Sequence, residues 1–144
     1  MVSISPKVYA EAIVAGLKYG HADAIVLNLY YQKNILTMQP LADQALSVQL
    51  QNEEGLDAGE AETIGLALAH RAELTLIDEQ RARQIARQKG LVVKGTLGVI
   101  FDAFRQGTLT PMQAEFYIRQ IMQQDDIWIS SVLCEQVLAK IQQP

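Results

Sequence analysis

The amino-acid sequence predicts an α/β fold with a short, mostly parallel sheet flanked by helices. Short β-rich runs alternate along the chain with helix-length apolar patterns, the order that builds parallel sheets with helical crossovers. Helix-start signals recur between them at Ser5-Pro6, Asp43 and Thr110-Pro111. With 144 residues, 49% of them apolar, the chain can bury the core of one domain without disulfides or a structural metal.

Met1 to Ile4 alternates weakly and reads as a short strand. Ser5 caps the helix that follows, Pro6 takes its first position, and Val8, Ala12, Ala15 and Tyr19 share a face up to the stop at Gly20. A second apolar helix begins at Asp23 and runs to Tyr31. Ile35 to Met38 is a short strand closed by Pro40. Asp43 opens a helix ending near Asn52, and Gly55 breaks the loop that follows. Gly59 to Arg71 is the clearest helix, and its middle, Thr63 to Ala69, is apolar nearly all round, as in a helix buried on most sides. Leu74 to Ile77 is a β-rich run, Gln80 to Lys89 an Arg-rich helix stopped by Gly90, and Leu91 to Val93 another strand. Gly95-Thr96 starts a helix from Leu97 to Gln106, and Thr110-Pro111 starts one that ends near Gln124. A short Ile127–Ile129 segment precedes a last helix, Ser131 to Ile141.

The net charge of −4 excludes a generic nucleic-acid binder of high pI. RNA contact would need a local basic patch, and Arg81, Arg83, Arg87, Lys89 and Lys94 form the one basic cluster, with Arg83 and Arg87 on a shared helix face. A solvated face explains the cluster equally well. Cys134 is the single cysteine, which rules out an internal disulfide framework and points to a reducing cytoplasmic setting. Lys7 and Glu11 interrupt the first apolar run, so no signal peptide is expected, and no stretch is long enough for a membrane span.

The acidic residues carry what chemistry the sequence suggests. Asp78 follows the run Leu74–Ile77, at the carboxyl edge where open α/β sheets bind ligands, with Glu79 beside it. Glu60 and Glu62 lie in the first turn of the buried helix, and Glu11 borders the apolar face of the first helix. Carboxylates held together recruit a cation, and hard oxygen ligands suit Mg²⁺ or Mn²⁺. Each acid also has a plain structural role open to it: Glu60 and Glu62 as helix-start carboxylates, Asp78 as the cap of the following helix, Glu11 as a solvated edge residue. His21 and His70 lack ligand spacing, and Cys134, Tyr30, Tyr31 and Trp128 read as core or interface residues. Gly95 to Gly98 reads as a tight strand-to-helix turn, because it lacks the lysine and spacing of a P-loop.

Three runs in this order, Leu56-Asp57-Ala58-Gly59-Glu60-Ala61-Glu62-Thr63-Ile64-Gly65-Leu66-Ala67, Leu76-Ile77-Asp78-Glu79-Gln80-Arg81-Ala82-Arg83 and Gly95-Thr96-Leu97-Gly98-Val99-Ile100, resemble the PIN-like predicted nucleic-acid-binding proteins related to VapC toxins. Val8-Tyr9-Ala10-Glu11 is similar to an earlier motif of that family, and the likeness spans almost the whole chain, more loosely between Gly20 and Asn52. The resemblance implies a PIN-like three-layer α/β fold with about five parallel strands. It implies a Mg²⁺ or Mn²⁺ site drawn from Glu11, Glu60, Glu62, Asp78 and Glu79, with Glu11, Glu60 and Asp78 catalytic. Asp78 is then expected at the sheet's carboxyl edge, facing Glu60 or Glu62, with Arg81, Arg83 and Arg87 set to meet nucleic acid.

Family members open with a strand ending in Asp and a helix, both before the Val-Tyr-x-Glu motif. Here that motif begins at Val8, so the chain reads as a single PIN-like domain, residues 1–144, lacking the usual first strand and helix. A truncated start, a degenerate gene and a genuine short variant all give this pattern. The implied function is a metal-dependent, toxin-like ribonuclease of reduced activity, paired with an antitoxin protein. The alternative is a catalytically inactive module that binds nucleic acid or protein. A missing central strand would leave open sheet edges, which predicts a homodimer or higher homo-oligomer with the helices Ala24–Tyr31 and Ser131–Ile141 at the contact, the alternative being a smaller sheet in which Val2–Ile4 pairs directly with Leu74–Ile77.

Overall fold

The computed structural model describes residues 2–124 and 129–142. The segment expected at Ile127 and Trp128 lies outside the described residues. The fold is mostly helical with short parallel sheets, a small α/β arrangement as expected. The chain forms two compact units, Met1–Thr75 with Gln84–Val92, and Leu76–Arg83 with Val93–Pro144.

In the first unit, β1 (Val2–Ile4) pairs in parallel with β2 (Leu36–Met38), Val2 opposite Leu36 and Ile4 opposite Met38. A helical crossover joins them. Ser5 accepts the Val8 N–H through its hydroxyl and starts α1 (Pro6–Tyr9). The helix then widens into a π-helical stretch, Ala10–Ala15, in which the Gly16 N–H reaches back five residues to the Glu11 carbonyl, and tightens again as α2 (Gly16–Lys18). Gly20, at φ +77°, makes the turn into α3 (Ala22–Gln32). A Cβ on Gly16 would stand 2.6 Å from that of the buried Ala24, so the glycine is what lets α3 pack this closely.

Asp43 caps α4 (Gln44–Glu54) by accepting the Ala45 and Leu46 N–H groups, and Gly55, at φ +65°, ends it. α5 (Ala58–Ala69) packs on α1 and α4 and buries Gly59, Ala61, Ile64, Gly65, Leu66 and Ala67, the closed-in environment its all-round apolar middle predicts.

A second pair, β3 (Thr75–Leu76) and β4 (Val93–Lys94), is joined by α6 (Gln80–Gln88). The Thr75 N–H donates to the Val92 carbonyl and the Ile77 N–H to that of Lys94, so both strands advance together and the pair is parallel. That register moves the last strand from the expected Leu91–Val93 to Val93–Lys94. The described residues therefore supply four strands of two or three residues in two pairs, where the resemblance implied about five in one sheet.

The second unit is built on α7 (Thr96–Arg105), α8 (Pro111–Met122) and α9 (Ser131–Gln142). Thr110 and Gln113 form a capping box at the start of α8. Leu97, Ala114, Ile118, Cys134, Leu138 and Ile141 make one buried cluster between the three helices. Cys134 is core, as its apolar helix suggested, and burial raises its thiol pKa.

Candidate functional site

The first unit gathers acids at the start of α5. Because α1 lies on α5, the Glu62 carboxylate accepts the Lys7 backbone N–H at 2.7 Å, satisfying a donor that the first turn of α1 leaves open. Lys7 also pairs with Glu11, Nζ to Oε1 at 3.0 Å, and that hydrogen bond raises the lysine pKa. Asp57 is the N-cap of α5: its Oδ1 accepts the Glu60 N–H at 2.7 Å, and Glu60 Oε2 accepts the Asp57 N–H at 3.2 Å. Glu60 thus fills the helix-start role that was open to it.

Gly59 sits inside this group. A Cβ there would lie 3.3 Å from Glu11 Oε2 and 3.4 Å from Asp57 Oδ1. Two carboxylate oxygens from separate elements therefore converge over a backbone that has no side chain. Among the described residues no three His, Cys, Asp or Glu side chains form a ready metal-holding group. The donors present are all hard oxygens and fit Mg²⁺ or Mn²⁺ in kind. A helix expected from Gly59 leaves Asp57 in the preceding loop, whereas it is the N-cap of α5. Its signal was there, since an Asp three residues before a Glu and ahead of an apolar run is a capping-box pattern.

In the second unit, Asp78 follows β3 but does not cap the next helix. Its Oδ1 accepts the Thr96 N–H at 2.8 Å and its Oδ2 the Thr96 hydroxyl at 2.5 Å, so it caps α7, 18 residues on. Glu79 takes the nearer role. Its Oε2 accepts the Ala82 N–H at 2.6 Å, and backbone N–H groups at the start of α6, that of Arg81 foremost, hold its carboxyl below the usual range. Thr96, within the strand-to-helix turn, is the polar partner of Asp78, and no local sequence pattern joins the two.

The basic cluster divides. Arg81 and Arg87 are exposed, whereas Arg83 is half-buried, with its guanidinium 2.7 Å from where a Cβ on Gly95 would lie and Asp78 Oδ1 2.8 Å from the same point. Lys94 is engaged with Asp102 in an ion pair that crosses Gly98. A cleft of about 920 Å³ opens beside Asp78, Arg83 and Thr96.

A family model described as a PIN domain matches residues 1–143. The chain belongs to the PIN domain family. No curated protein and no solved structure matches it. PIN domains are nuclease-type modules and generally depend on divalent metal. In this PIN domain no helix among the described residues is long and apolar enough to cross a membrane.

Proposed function

We propose that this PIN domain is a toxin-like, metal-dependent endoribonuclease of reduced activity, with Glu11, Glu60 and Asp78 as its catalytic acids. The observation that carries the reading is the approach of Glu11 and Asp57 oxygens over Gly59, within a nuclease-type family. Glu11, Asp57, Glu60 and Glu62 are the first unit's donors toward Mg²⁺ or Mn²⁺; Asp78 and Glu79 are the second unit's. A divalent cation, when bound, lowers the pKa of its water and offsets charge building on an attacked phosphate. The chain's own part is to fix the donors. Asp57 and Glu60 lock each other at the start of α5, Lys7 holds Glu11 and Glu62, and Thr96 holds Asp78. Arg81, Arg83 and Arg87 contact the RNA backbone in this reading.

The test is cleavage of a mixed RNA pool by the purified chain with Mg²⁺, with Mn²⁺ and with chelator. Weak, cation-dependent cleavage lost in Asp78→Asn and in Glu11→Gln is expected. No cleavage with either cation refutes the enzyme and leaves the non-catalytic binding module. A cognate antitoxin protein and a homodimer belong to the same proposal. The dimer rests on α3, whose Ile25, Val26, Leu29 and Tyr30 are each 47–54% exposed on one helical stripe, and on exposed Val132 of α9. Sedimentation giving a stable 16.0 kDa species would remove the dimer.

A further inference from the structure

We propose that Lys7 is the built-in counter-ion of the acid group at the start of α5, holding Glu11 until a divalent cation takes the place of its ammonium. The inference rests on the reading of these acids as cation donors and adds the residue that sets how readily they load. Carboxylates drawn toward one point repel each other unless a positive charge lies near. Glu11 Oε2 and Asp57 Oδ1 converge over Gly59, 3.3 and 3.4 Å from the place of its missing Cβ. Lys7 stands beside them. Its Nζ is 3.0 Å from Glu11 Oε1, the other oxygen of the same carboxylate, and its backbone N–H donates to Glu62 at 2.7 Å. Beyond Glu11, the charges of Glu62 and Asp57 also act on this ammonium. One cation therefore serves acids from two elements, Glu11 on its own helix and the pair Asp57 and Glu62 at the start of α5.

Local helix chemistry does not account for a lysine at this position. Ser5 is the N-cap and Pro6 the first residue of α1, so Lys7 lies in the first turn of a helix that runs on to Lys18. A cation there opposes the helix dipole. Lysine four residues before glutamate is also the weaker order for a helical ion pair. With side chains 43% and 56% exposed, the Lys7–Glu11 pair stabilises the fold little. The lysine is placed for the acids, not for the helix. The same exposure lets the ammonium swing into solvent on its flexible stem without opening the fold. Loading is then an exchange of charges. Lys7 offsets the acids while divalent cation is scarce, and its release raises the concentration at which they fill. It is a positioning residue and touches no reacting atom.

The test uses the full chain without RNA, so that it does not depend on cleavage. Calorimetric Mn²⁺ titration compares the wild type with Lys7→Gln and Lys7→Arg. Removing the competing charge should tighten Mn²⁺ binding about three- to tenfold in Lys7→Gln, whereas Lys7→Arg, which keeps the charge, should not tighten it. The gain should shrink as salt rises. It should vanish in a Glu11→Gln background, where the ammonium has lost its ion-pair partner. Melting curves in chelator should barely separate wild type from Lys7→Gln, since the pair is exposed. In protein carrying isotope-labelled lysine, Mg²⁺ should move the Lys7 ammonium resonance to that of a free lysine. A lysine with a purely structural role would leave Mn²⁺ affinity unchanged or weaken it in Lys7→Gln. Either result overturns the proposal, as does an ammonium resonance that Mg²⁺ leaves in place. Absence of Mn²⁺ binding in every variant removes the counter-ion together with the donor assignment. The readings otherwise fail separately: equal Mn²⁺ affinity in wild type and Lys7→Gln removes only the counter-ion, and tightened binding without RNA cleavage removes only the nuclease.

Discussion

Gly59→Ala places a methyl group between two carboxylates and separates metal binding from folding. Its Cβ would meet Glu11 Oε2 at 3.3 Å, Asp57 Oδ1 at 3.4 Å and Val8 Cγ2 at 3.6 Å. The first contact is tight enough to push the Glu11 oxygen back by a few tenths of an ångström, and the Asp57 contact lies at the edge of ordinary van der Waals distance. For stability the effects oppose: replacing helical glycine gains about 0.5–1 kcal/mol, and mild overpacking costs about 1 kcal/mol. The urea midpoint should therefore barely move. For a cation the shift is not compensated, because Mg²⁺ needs its oxygens at about 2.0–2.1 Å in near-ideal geometry. Displacing one of its ligands should weaken Mn²⁺ binding about tenfold, or about 1.4 kcal/mol. Calorimetric Mn²⁺ titration of both proteins, with urea unfolding in parallel, measures the two quantities. Unchanged Mn²⁺ affinity in a normally folded Gly59→Ala protein would refute the assignment of Glu11 and Asp57 as cation donors.

Gly16→Ala should lose up to about 2 kcal/mol, since a methyl 2.6 Å from Ala24 Cβ costs about 1–3 kcal/mol and helix propensity returns about 1. Adding Ala24→Gly should be less than additive in a double-mutant cycle read by urea unfolding; strict additivity would show that the two positions do not meet. Thr110→Ala should cost about 1 kcal/mol by removing the α8 cap, and Thr110→Ser should restore most of it in the same assay. Glu79 has a folded-state pKa below its unfolded value, so its stabilisation is complete above the ordinary 4.5 and fades as pH falls through the lowered value. Glu79→Gln should accordingly flatten the fall of melting temperature below about pH 5, and an unchanged acid limb would contradict this.

Helix starts were the most legible part of the fold, because capping is local chemistry. Ser5-Pro6, Asp43 and Thr110-Pro111 each open a helix where the sequence placed one. Strands were less legible: Val93–Lys94 is fixed by which carbonyls meet the Thr75 and Ile77 N–H groups, and a two-residue ladder carries no periodicity. The first-unit acids were legible in part. The approach of Glu11 to the start of α5 follows from the packing of α1 on α5, a long-range contact with no local signature. Asp57 is hidden when the helix is expected to start at Gly59, one residue later than Ala58. The role of Asp78 was invisible because Thr96 lies 18 residues away and the nearer Glu79 had taken the local cap.

The Asp78–Thr96 contact makes one side chain both a joint and a charge. Truncating it to alanine would remove the acceptor for the first N–H of α7 as well as the carboxylate, and lost function could then mean a loosened helix. Asparagine keeps the joint. Its Oδ1 can still accept the Thr96 N–H, and its amide can donate to the hydroxyl once that rotor turns round. Only the charge is lost. Drift at this position is therefore asymmetric: Asn at 78 gives a folded but discharged protein, while a side chain without an acceptor unseats α7 unless residue 96 changes with it.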